Sequence, residues 1–175
     1  MYRILVSDKL GAAALDKLNE YADVDVDVKI GLSKEQLLEI IPHYDGLIVR
    51  SGTQVTADVL AAGKKLRVVG RAGVGVDNID IKAASIYGVV VMNTPGANSM
   101  ATAEMTLALM LAAGRNIPQA HASLQAGEWQ RGDFVGTQLY GKTLGIIGFD
   151  RVGKLVSERA KAFGMEVLVY DPVTM

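Results

Sequence analysis

Short runs of β-branched and aliphatic residues recur along this chain with helix-period segments between them, and that alternation narrows the folds open to it more than any other feature. Strands are read at Arg3–Ser7, Val24–Val28, Gly46–Val49, Arg67–Gly70 and Val89–Met92, and helices near Gly11–Tyr21, Ser33–Ile40, Thr56–Ala62 and Asp80–Tyr87. Strand and helix taken in turn predict an α/β fold, a parallel sheet with helices on both faces. The stretch Asp23–Lys29 alternates charge and valine, so it buries one face, wets the other and belongs at a sheet edge. Ser33 with Gln36 spells a capping box, and Asp77 or Asn78 is placed to cap the helix that begins near Asp80.

Half of the residues are hydrophobic, enough for a well-buried core. With 18 basic and 19 acidic residues the net charge is −1, so no overall field favours nucleic acid or an anionic membrane. There is no cysteine, which excludes disulfides and thiolate metal sites. His43 and His121 lack any paired ligand spacing and read as ordinary surface histidines. The N-terminus reads as a first strand, not a signal peptide, and the longest apolar stretch, Met105–Ala113, is far short of a membrane span. A soluble, cytoplasmic protein is the expectation.

The second half opens with Asn98–Ala113, whose alanine, leucine and methionine predict a strong helix apolar around most of its circumference, hence buried on more than one side. Gly127–Gly141, with Trp129 and Phe134, reads as an irregular arm whose aromatics anchor core or subunit contacts. A strand at Thr143–Ile147, a helix at Arg151–Phe163 and a strand at Glu166–Tyr170 follow. Gly148 and Gly153 fill the outer positions of a G-x-G-x-x-G turn and Asp171 is the acid about 20 residues on, the layout of a dinucleotide-binding βαβ unit. Asp150 holds the middle position, where backbone ordinarily approaches phosphate. Its carboxylate competes for the helix amides that a pyrophosphate would use, or simply caps the helix. Two like charges about 4 Å apart repel by roughly 4 kcal/mol at an effective dielectric near 20. That repulsion is worth about three orders of magnitude in affinity.

Two other loops follow predicted strands, at the edge where open α/β sheets place ligands. Arg50-Ser51-Gly52-Thr53 supplies a guanidinium, hydroxyls and a glycine amide suited to a carboxylate or phosphate. Arg71–Asp77, with Gly73 and Val74, offers a run of backbone amides able to cup an anion. Either loop alone is an ordinary turn. Both on one sheet edge, with Asn98 opening the next helix, point to a small anionic substrate.

The stretches Arg50–Leu60, Gly70–Asp80, Val91–Pro95, Asn98-Ser99, Gly127–Arg131 and Gly141–Gly148 resemble the D-2-hydroxyacid dehydrogenase family, the branch acting on 3-phosphoglycerate above the glycerate and glyoxylate branches. The resemblance spans essentially the whole chain. It implies a flavodoxin-like substrate lobe over 1–97, an interlobe helical segment over 98–126 and part of a Rossmann-like NAD lobe over 127–175. It also implies NAD as cofactor, touching Val74, Gly148, Arg151, Val152, Gly153 and Asp171. The substrate, 3-phosphoglycerate or a similar anionic 2-hydroxy acid, would meet Arg50, Ser51, Gly73, Val74 and Asn98. Asp150 departs from the family's glycine, and Ala97 from the glycine that usually precedes Asn98. The family's catalytic arginine, glutamate and histidine are expected beyond Met175, and neither His43 nor His121 matches that histidine. The expected protein is a homodimer, with the Asn98 helix folded over the first sheet or exchanged between chains. A non-catalytic flavodoxin-like folding or dimerisation module with little or no NAD binding is the alternative.

Overall fold

The computed structural model describes residues 1–173. The chain divides into two compact units, the first Met1–Ala97 and the second beginning at Asn98. In the first, strands β1 (Tyr2–Val6), β2 (Val24–Val28), β3 (Gly46–Val49), β4 (Val68–Arg71) and β5 (Val90–Asn93) form one parallel sheet in the order β2-β1-β3-β4-β5. This is the flavodoxin-like doubly wound order. Helices α1 (Ala12–Asn19), α2 (Lys34–Ile40), α3 (Ala57–Ala62) and α4 (Ile81–Ile86) carry the crossovers, and a 3-10 turn at Ile41–His43 follows α2.

The register explains the core. Leu5 pairs with Leu47 and Leu47 with Val69, so three fully buried side chains stand in a row across β1, β3 and β4. Leu37, Ile41, Val59, Leu60, Ala83 and Ala84 close over that row from the helices. The capping box forms as expected: Ser33 Oγ accepts from the Gln36 amide at 3.3 Å and Gln36 Oε1 accepts from the Ser33 amide at 2.8 Å. The cap of α4 is Asp80, whose carboxylate accepts from the Ala83 amide, in place of Asp77 or Asn78. Asn78 is buried and serves a loop instead.

Strand β2 is an edge, as its alternating valines and aspartates require. Its acids face partners: Arg3 lies 3.5 Å from Asp25 and 2.8 Å from Asp27, and the Tyr44 hydroxyl donates to Asp27 at 2.7 Å. The Tyr44 bond holds the Asp27 carboxyl below its ordinary range, with Lys29 and Arg3 adding their charge.

In the second unit, β6 (Thr143–Ile147) and β7 (Glu166–Tyr170) pair in parallel around α7 (Arg151–Ala162). Gly153, Val156, Ser157 and Ala160 are the buried stripe of α7, at helical spacing. Helix α5 (Ser99–Gly114) packs on it through Ala103 and Leu107, against Val156. The expectation of burial on more than one side of α5 is corrected: Met100, Met105 and Leu109 are exposed, because one narrow contact stripe is all that α7 offers. A separate helix α6 (Ile117–Gln125) follows a break at Asn116, which adopts left-handed φ of 52°. Residues 126–142, which include the expected arm Gly127–Gly141, hold neither helix nor strand. Among the described residues no helix is long and apolar enough to cross a membrane.

Truncating the centre of the buried row tests this core. Leu47→Ala is expected to cost about 2–5 kcal/mol, read as a lower midpoint in urea unfolding of the chain.

Candidate functional site

Every strand of the first sheet points the same way, so the loops after β1, β3 and β4 emerge on one edge. The order β2-β1-β3 places the topological switch between β1 and β3, where ligands enter such sheets. The loop after β3 is Arg50–Thr53, and the residue that organises it is Asp8, two positions beyond β1. Asp8 Oδ2 accepts from the amides of Arg50 at 2.6 Å and Thr53 at 3.1 Å, while Oδ1 accepts from the Thr53 hydroxyl at 3.0 Å. The Thr53 hydroxyl spends its one proton on Asp8 and so accepts from Ser7 Oγ, 2.8 Å away. Gly52 is required here: a Cβ on it would lie 2.7 Å from Asp8 Oδ1. Burial pushes the Asp8 carboxyl up, but the bonds from Arg50, Thr53 and Gly52 outweigh it and hold the group below the ordinary carboxylate range.

From the other side the loop is held by Asn78. Its Nδ2 donates to the carbonyls of Arg50 at 2.8 Å and Thr53 at 2.6 Å. The chain around Asn78 is itself fixed, since Val55 N donates to Asn78 O and Val55 bridges Ile79.

The two arginines at this edge have different duties. Arg71 turns inward, donating to Gly75 O and to Arg50 O and pairing with Asp77 at 3.4 Å. Its side chain is only 10% exposed, so it builds the loop and is withdrawn from solvent. Arg50 is exposed, and among the described residues its guanidinium makes only a 3.4 Å contact with Lys9 O. Gly73 and Val74 follow Arg71, with their carbonyls taken by Thr94, just beyond β5, and by Asn93, the last residue of β5. Ser51 is exposed between the two anchored ends of its loop, and Val74 is exposed in the neighbouring loop. The first unit thus brings Arg50, Ser51, Gly73 and Val74 to one edge.

The other candidate positions lie in the second unit. Asn98 stands before α5 with no capping bond from its side chain, while its carbonyl accepts from Thr102. Gly148 follows β6 with φ of +92°, a left-handed conformation that suits glycine. A Cβ on Gly153 would collide with the Gly148 carbonyl oxygen, so the turn and helix close on each other as the third glycine of the motif allows. Arg151 and Val152 form the first turn of α7. Asp150 caps that helix, accepting at Oδ1 from Val152 N at 3.0 Å and Gly153 N at 3.3 Å. Asp171 follows β7 and accepts from Phe149 N at 2.5 Å and from Val173 N at 2.8 Å. Both acids therefore fold onto the glycine turn itself. A cleft of about 390 Å³ runs beside this turn, bounded by Thr106, Met110, Ile147 and Val156.

Sequence reasoning missed Asp8 and gave Asn78 the wrong task. The available signal was positional: Asp8 sits at the carboxyl end of the first strand, where ligand loops gather.

The chain matches the family model "D-isomer specific 2-hydroxyacid dehydrogenase, catalytic domain" over residues 4–169. It is 56% identical to D-3-phosphoglycerate dehydrogenase of Methanocaldococcus jannaschii over 172 residues, covering 98% of this chain and 32% of that protein. It is 49% identical to the Archaeoglobus fulgidus enzyme of the same name, covering 97% and 32%. The chain therefore spans about a third of the length of these curated relatives. Among solved structures it resembles the NAD+-bound 3-phosphoglycerate dehydrogenase of Entamoeba histolytica, with TM-score 0.81 and 34% identity over 99% of this chain and 55% of that one. It also resembles the TT0316 protein of Thermus thermophilus, with TM-score 0.91 and 37% identity over 99% and 57%.

Asp150 serves as a helix cap, and that role can be measured. Asp150→Ala is expected to destabilise the chain by about 1 kcal/mol and Asp150→Gly by only a few tenths, compared by chemical unfolding.

Proposed function

Because the chain belongs to the D-isomer specific 2-hydroxyacid dehydrogenase family, we propose that it contributes the substrate and nucleotide portions for oxidation of 3-phosphoglycerate to 3-phosphohydroxypyruvate with NAD, the entry to serine synthesis. Residues 1–97 are the substrate lobe, 98–126 the helical segment that joins the two in sequence, and 127–175 the nucleotide portion. One observation carries the reading: Arg50 presents a nearly unspent guanidinium from a loop whose backbone is fixed at both ends. Arg50 and Ser51 bind the anionic groups of the substrate, Gly73 and Val74 line the adjoining loop, and Asn98 offers its uncommitted side chain.

NAD, when bound, accepts the hydride. Gly148, Gly153 and Asp171 have the turn, close packing and strand-end position that a dinucleotide needs, with Val74, Arg151 and Val152 as further contacts. The phosphate donors do not fit as they stand, because the amides of Val152 and Gly153 already serve Asp150. A pyrophosphate would have to displace that carboxylate and stand beside its charge. Weak NAD binding follows.

Oxidation at a hydroxyl carbon also needs a base to take the hydroxyl proton. His43 lies before the N-terminal end of β3, the opposite end from Arg50, and His121 is an exposed residue of α6. Neither fills that role, and no turnover is expected from this chain by itself. The exposure of Trp129, Val135 and Tyr140 supports a homodimer.

Calorimetric titration of the chain with 3-phosphoglycerate and with NAD tests the reading. Binding of 3-phosphoglycerate that is lost in Arg50→Ala supports it, and equal binding to both overturns it. Asp150→Gly is expected to tighten NAD binding by about tenfold or more at low salt, the gain shrinking at high salt because its source is charge. If NAD affinity does not change, the second reading gains, a folding or dimerisation module in which Asp150 is only a cap.

A further inference from the structure

We infer that Asp8 is a positioning residue for anion recognition, holding the Arg50–Thr53 loop in its receiving shape, with Asn78 clamping the same loop from the opposite side. The inference rests on the reading of that loop as the substrate-anion site. The geometry is specific. Two side chains together bind four backbone groups, the amides of Arg50 and Thr53 through Asp8 and their carbonyls through Asn78. Both ends of a four-residue loop are thereby fixed, and only Ser51 and Gly52 lie between them.

The chemistry requires a carboxylate. Asp8 accepts from the Arg50 and Thr53 amides and from the Thr53 hydroxyl and donates nothing, as an ionised acid does with two oxygens. An asparagine would turn one of those oxygens into an NH2 group facing donors. The loop would then lose one of its supports and leave a donor unpaired. Glycine at position 52 fits the same purpose, since any side chain there would push the carboxylate away. Ser7, buried and bound to Thr53 Oγ, braces the cluster from beneath.

Arg50 benefits because its backbone is held on both sides while its guanidinium is left to meet an anion. A loop fixed before binding loses less freedom on binding. The negative charge of Asp8 is absorbed by the donors around it, consistent with a carboxyl held below its ordinary range. A group with a lowered folded pKa contributes its stabilisation above its unfolded value, 3.8, and loses it as pH falls through the folded value. The clasp is therefore complete at neutral pH and opens only in strong acid.

The test compares the full chain with Asp8→Asn and Thr53→Val, using 3-phosphoglycerate as probe in calorimetry and amide hydrogen exchange by NMR. Asp8→Asn is expected to weaken 3-phosphoglycerate binding about tenfold, and Thr53→Val by a smaller factor. Exchange should quicken at the Arg50 and Thr53 amides while the amides of β1, β3 and β4 keep their protection. A merely structural role would loosen the strands along with the loop, and that pattern overturns the inference. Unchanged binding in Asp8→Asn overturns it too. If Asp8→Asn does not fold, Thr53→Val decides alone, with unaltered affinity and exchange counting against the clasp. Absence of binding to the unaltered chain brings down the anion-loop reading itself, and is distinguished from the other outcomes by that control.

Discussion

Parallel pairing is the constraint from which the rest of the first unit follows. Parallel strands cannot be joined by a hairpin, so each strand is followed by a crossover that returns the chain to the starting end. All five strands here run one way, and every carboxyl end therefore opens onto the same edge. That edge gathers Asp8, Arg50 and Arg71 from positions far apart in sequence. The buried row of Leu5, Leu47 and Val69 fixes the register, and with it which strand ends become neighbours. A one-residue slip would turn these side chains to the other face and separate the loops they support.

Carboxylates settle the state of both turns, with opposite effects. Asp8 takes the backbone amides of Arg50 and Thr53 and leaves the Arg50 guanidinium to face an anion. Asp150 takes the amides of α7 that would face a phosphate, and so stands where the ligand would stand. The same hydrogen bond, carboxylate to backbone N–H, is support in one place and occupation in the other. Arg71 shows a parallel division among cations: its guanidinium is consumed by Gly75, Arg50 and Asp77, which leaves Arg50 as the outward charge of the pair.

The legible parts of this protein are those governed by local period and local caps. Alternating apolar runs marked all seven strands to within a residue or two, and the valine–aspartate alternation marked β2 as an edge. Ser33 and Gln36 were readable because a capping box is confined to four residues. Asp8 was not, because a lone acid after a strand has no local signature and acquires its partners only when β1 and β3 are placed side by side. Asn78 was misread for the same reason: its bonds reach back to Arg50 and Thr53, across an entire βα unit. The burial of α5 was overestimated since composition gives how apolar a helix is, and not how many neighbours it meets.

Asp150 is best understood by weighing its two effects. As an N-cap it stabilises the fold by about 1 kcal/mol, and glycine at the same position would give up only a few tenths of that. As a charge beside a bound phosphate it opposes binding by roughly 4 kcal/mol at an effective dielectric near 20. The cap gains little over the family's glycine, while the cost to an anionic ligand is several times larger. Folding stability alone therefore gives weak reason for an aspartate here. The larger physical consequence of Asp150 is to set how readily the glycine turn accepts an anion, and that consequence depends on ionic strength far more than the cap does.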